Sequence, residues 1–145
     1  MSNAARLAGA DPLPQVLAYL QQHPDVTEAL GGPGHVSGLL EEPWPHITVT
    51  PGPGGDLRTL RWDTVMDISI EAYGHPSGWP GPAELRRLAL LAVAACIDLP
   101  DADRPPGAPV ITAVSPSGSL AWTPLETGQP RWSTGVLVTS HPAPA

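Results

Sequence analysis

The chain has 145 residues, the length of a single domain, and its 41% hydrophobic content can supply a core without covalent staples. Cys96 is the one cysteine, which excludes an internal disulfide framework and a cysteine-rich zinc site. Seven basic residues, all arginine, against fourteen acidic ones give a net charge of -7, so counterion-releasing contacts with nucleic-acid phosphates are disfavoured, and no apolar run is long enough to cross a bilayer.

Residues 1–10 carry no periodicity and are expected to form a flexible N-terminal arm. Asp11 offers an N-cap and Pro12 suits the first helical position, while Leu13, Val16, Leu17 and Leu20 fall on one stripe of a short amphipathic helix. Pro24 closes that helix, and residues 24–30 can add a turn that ends at Gly31. A short extended piece is expected near His35 to Ser37. His46 to Thr50 alternates as a short strand, and Pro51 to Gly55 follows as a flexible loop tip. The strongest strand signal is Thr59 to Tyr73, where Met66, Ile68, Ile70 and Ala72 share a face opposite Asp67, Ser69 and Glu71.

A second Gly/Pro loop, 74–81, holds Trp79. Pro82 then opens the main helix, with Leu85, Leu88, Ala89, Ala92 and Cys96 on one stripe. Every residue from Leu88 to Ile97 is apolar, so this helix needs cover on more than one side. After an acidic connector at 98–109, residues 110–114, 119–123 and 131–140 read as strands, and 142–145 as a frayed end. The expected fold is α+β: one domain over 11–141 with a mainly antiparallel sheet of about four strands and two helices on one face.

The catalytic inventory is empty, and no metal or cofactor is expected. Gly31 to Gly34 follows a helix and Pro51 to Gly55 joins two strands, whereas a phosphate loop runs from a strand through glycines into a helix. Ser115 to Ser119 lacks the strand-to-helix context of a nucleophile elbow. The five histidines lie in or beside loops without metal-ligand spacing. Asp98, Asp101 and Asp103 lack the remaining positions of a calcium loop, and Glu41 and Glu42 read as a solvated turn. Cys96, deep in an apolar helix, is expected to be an unreactive core residue.

What exceeds expectation is apolar material near loops. Trp44, Trp62, Trp79, Trp122 and Trp132 are all the tryptophans, and Phe is absent. Tryptophan and arginine are enriched at protein interfaces, which makes Arg58, Arg61, Trp62, Trp79, Arg131 and Trp132 the candidate protein-interface residues.

The early helix with Val26 to Leu30 and Gly31, the short strand at 46–50 and the Gly-rich loop leading to Arg58 and Arg61 come in a distinctive order. The long alternating strand, the Leu/Ala-rich helix and the paired C-terminal strands complete it. Over roughly 12–141 this order resembles the tail-terminator (tail-completion) proteins of long-tailed bacteriophages. The resemblance implies a non-enzymatic structural protein at the neck of the virion, assembled in the host cytoplasm. It implies a homo-oligomeric ring, commonly a hexamer, that caps the tail tube, stops its polymerisation and meets the head-connector protein. The major tail tube protein and the connector would be partners, and DNA would pass the lumen without specific binding, as an acidic wall permits; no membrane is involved. The alternative from another class is a small ligand-binding or regulatory α+β module that dimerises through its sheet. A small hydrolase would need convergent acid-base residues that the sequence does not supply.

Overall fold

The computed structural model describes residues 2–144. Met1, in the expected arm, and Ala145, in the expected frayed end, lie outside the described residues. Helix α1 (Asn3–Ala8) is followed by α2 (Leu13–Gln22), α3 (Pro24–Leu30) and β1 (Val36–Ser37). Next come β2 (His46–Asp56), β3 (Thr64–Tyr73) and α4 (Pro82–Ile97), and the chain finishes with β4 (Val110–Pro116), β5 (Ala121–Trp122) and β6 (Arg131–His141). The order across the sheet is β1-β2-β3-β6-β4, with β5 also paired to β6. β4 and β5 lie along the same side of β6, opposite its residues 136–141 and 132–133, so together they form one interrupted edge. β1 runs parallel to β2 and every other pair is antiparallel.

The alternation in β3 sets the core. Ile68 and Ile70 are fully buried and Ala72 nearly so, and their register partners Val49, Val136 and Trp132 sit on the same face. Against this face pack Val16 and Leu20 of α2, Val26 and Leu30 of α3, and Leu85, Leu88, Ala92 and Cys96 of α4. Removing each of these valine and leucine side chains from water contributes about 1.5–3 kcal/mol. The opposite face is polar and carries Thr48, Asp67, Ser69, Glu71, Ser133 and Arg131.

The fold is therefore α+β, with a wider sheet than expected: six strands instead of about four, one of them parallel. Three helices cover the inner face instead of two, because α3 adds its own buried pair. Residues 3–8, expected as a loose arm, form α1, capped by Ser2, whose hydroxyl accepts from the Ala5 N–H. No α1 residue is buried. At α2 the helix begins at Leu13, one residue later than expected, and Asp11 still caps it through the Leu13 N–H. Gly31 closes α3 in the left-handed conformation, φ 109°, as a C-terminal glycine does.

Pro51 to Gly55, expected as a loop tip, instead extends β2 with a bulge between Pro51 and Gly55. Here Asp67 accepts from the Gly54 N–H, and a Cβ on Gly52 would stand 2.6 Å from the Asp67 carboxyl carbon. Glycine lets the bulged strand fold over that carboxylate. The turn accordingly falls at 57–63, and β3 starts at Thr64 instead of Thr59.

Candidate functional site

The exposed apolar side chains gather at identifiable places on this frame. At the tip of the β2–β3 hairpin, Leu57 is 66% exposed and Trp62 71% exposed, with Leu60 also open. Arg58 is held beside them by Asp56, which accepts from both its Nε and its Nη2, the latter at 2.7 Å. Those bonds depress the Asp56 carboxyl to about 2. Arg61 lies over the Trp62 ring, 5.5 Å from its centroid. The tip is thus an ordered apolar knob with guanidinium groups at its rim.

Trp79, Arg131 and Trp132 sit at the opposite end of the sheet. Trp79 stacks on His75 at 5.0 Å and is half-exposed. Its loop is tied to the start of β6 by the Gly74 N–H donating to the Pro130 carbonyl and by the Gln129 amide donating to the Gly74 carbonyl. Arg131 is engaged within the chain: it pairs with Glu71 at 3.3 Å, donates to the Thr123 carbonyl at 2.7 Å and lies over Tyr73. Glu71 also accepts from the Tyr73 hydroxyl.

Although neighbours in sequence, Arg131 and Trp132 point to opposite faces, because successive strand residues alternate. The guanidinium over Trp132 belongs instead to Arg86 of α4, 5.9 Å from the ring centroid. The Trp132 indole N–H donates to the Pro82 carbonyl, and its ring tilts against Trp122 at 5.2 Å.

The six residues singled out by sequence therefore form two groups, Arg58/Arg61/Trp62 at one end and Trp79/Arg131/Trp132 at the other. Sequence reasoning missed three further surfaces. On α4, the exposed Leu90, Ala94 and Ile97 continue from Arg86 at helical spacing; the all-apolar run predicted a second covered side without saying which. Trp122 joins Trp132 only through the β5–β6 pairing. Leu39 and Leu40 are 67% and 46% exposed in the loop after β1, and no periodicity marks them.

That loop is held firmly. The Leu39 N–H donates to the Ser37 hydroxyl, which in turn donates to the Leu39 carbonyl. The His35 ring donates to the Pro45 carbonyl at 2.7 Å, and Trp44 meets His46 edge-on. His46 is fully buried, with Nε2 2.8 Å from the Ser37 hydroxyl and Nδ1 without a partner among the described residues. Burial lowers its pKa from the usual value. Burial also pushes the Cys96 thiol up to about 12, as expected for a core cysteine.

No group of three His, Cys, Asp or Glu side chains among the described residues converges as a metal site. An open cleft of about 700 Å³ lies between the α1–α2 link and the hairpin, walled by Leu7, Pro12, Leu57, Leu60 and Met66. Its carboxylates, Asp11, Asp56 and Asp67, are respectively a helix cap, an arginine partner and a bulge acceptor. Among the described residues, no helix is long and apolar enough to cross a membrane.

No protein-family model and no curated protein sequence matches the chain. Among solved structures it is similar to a chain of the virion of a native gene transfer agent particle, with a TM-score of 0.64 and 16% identity, over 96% of this chain and 98% of that one. The likeness is one of fold: this chain and that virion chain share it. The likeness extends over nearly the whole length of both chains.

Proposed function

We propose that the chain is a structural virion subunit that forms a closed ring on the end of a phage-like tail tube. In this reading the ring stops tube polymerisation and presents its other face to the head-connector protein, in the neck region. The observation that carries it is the end-to-end fold match to a virion chain. The surface supports it independently. None of the five tryptophans is fully buried, and α4 and the hairpin tip leave large apolar side chains in water. A folded monomer gains nothing from holding these groups in ordered positions, whereas an assembly covers them.

A ring built from one kind of contact needs two unlike patches per subunit, and the molecule offers several at opposite ends and edges. The net charge of -7 suits a channel through which DNA moves without adhering. The test is tail assembly in the particle that encodes the chain. Loss of the gene gives over-long, headless tubes, and purified protein added to growing tubes arrests them and appears as a ring at one end. Tubes of unchanged length in both experiments refute the reading.

A further inference from the structure

We infer that a second copy of this chain docks its Leu39–Glu42 loop onto the Trp122, Trp132 and Arg86 surface, edge to edge across the sheet. The inference rests on the ring reading and adds which surface meets which. It starts from register. Ser37, Thr48, Glu71, Ser133 and Ala121 are successive partners across β1, β2, β3, β6 and β5. They form one row that crosses the whole sheet, about 19 Å at the usual strand spacing. The row ends at Ser37, two residues before the Leu39–Glu42 loop, on one edge and at Ala121, next to Trp122, on the other. The two flanks therefore stand at the same level on opposite edges of one subunit, the arrangement a head-to-tail contact requires.

The flanks also match in chemistry. One presents the exposed pair Leu39 and Leu40 beside Glu41 and Glu42, neither of which has an ion-pair partner among the described residues. The other presents the Trp122 and Trp132 rings beneath Arg86. Arg86 likewise lacks an ionic or hydrogen-bonding partner among the described residues, while its neighbour Arg87 is taken by Glu84.

Apolar groups face apolar groups, and unpaired carboxylates face an unpaired guanidinium. The Leu39 loop is already fixed by Ser37, and the Pro45 carbonyl by His35, so little ordering is left to be done on contact. A two-fold dimer through either flank alone would set Glu41 and Glu42 against their own copies, or Arg86 against Arg86.

The experiment uses two singly substituted proteins, Leu40→Cys and Ala83→Cys, at exposed positions on the two flanks, Ala83 lying one helical turn before Arg86, together with the double variant. Native Cys96 is buried and its thiol is raised to about 12, so it stays silent under mild oxidation. Each protein is oxidised alone and mixed, with and without tail tubes, while light scattering reports assembly. The expected result is a disulfide-linked dimer from the mixture, none from either protein alone, and a ladder of linked species from the double variant. Arg86→Glu weakens self-association by about tenfold, and adding Glu41→Arg and Glu42→Arg restores it. Assembly without the mixed cross-link, or cross-linking of Leu40→Cys to itself, overturns the docking and leaves the ring reading standing. No assembly with or without tubes overturns both.

Discussion

Replacing Trp62 by alanine separates folding from assembly. At 71% exposure the indole contributes little to the folded monomer, so the change in unfolding free energy should stay within about 0.5 kcal/mol. In an assembled contact the same side chain has much to lose. A tryptophan presents about 200 Å², of which about 140 Å² is open here, and at about 25 cal/mol per Å² its burial is worth about 3.5 kcal/mol. That is a factor of several hundred in association. Arg61, which lies over this ring, should show a related but smaller effect when changed to glutamate. The assay pairs thermal denaturation of the dilute protein with capture of labelled protein on tube ends. An unchanged melting temperature with capture lost is the expected outcome. Equal capture by Trp62→Ala, Arg61→Glu and the parent removes the hairpin tip from the contact, and a melting temperature lowered by many degrees shows that the indole serves the fold instead.

Three further predictions concern the frame. Cys96 should resist thiol reagents in the folded protein and react on unfolding, since its thiol is raised to about 12 by burial; rapid labelling of the native state refutes its placement. His46 has its pKa lowered by burial, so the unfolded chain binds more protons and stability should fall as pH drops below about 6.5, the unfolded value. His46→Gln should flatten that slope, measured by urea denaturation between pH 7.5 and about 5, and an unchanged slope refutes the assignment. Gly135 lies where a Cβ would stand 2.6 Å from the Ile68 carbonyl oxygen, so Gly135→Ala should cost about 1–3 kcal/mol through a forced strand shift; a neutral change shows that β3 and β6 tolerate separation there.

The elements with internal period were legible. Met66 to Ala72 reads as a half-buried strand because its side chains alternate, and Leu85 to Cys96 reads as a helix because its stripe repeats every three or four residues. What escaped depends on partners distant in sequence. The extended piece expected near His35 to Ser37 is present as β1, but its parallel pairing with Ile47 and Thr48 was not legible. Pro51 to Gly55 carries loop chemistry and is drawn into β2 by the Asp67 carboxylate. α1 has no apolar stripe to announce it and rests on a local cap.

At the candidate site, Arg61 and Trp62 stay together because they share a turn. Arg131 and Trp132 separate because they share a strand, leaving Arg131 to Glu71 and Trp132 to Arg86. Leu39 and Leu40 were invisible because two leucines in a Gly/Pro-rich segment have no period, and only burial shows them facing water.

The central claim, that copies of this chain close over the end of a tail tube, is tested most directly by electron microscopy of tubes incubated with the purified protein. The account predicts a ring of density at a single tube end and no further elongation when tube subunits are supplied. Bare ends on tubes that keep growing, beside a monodisperse single subunit in solution, contradict it.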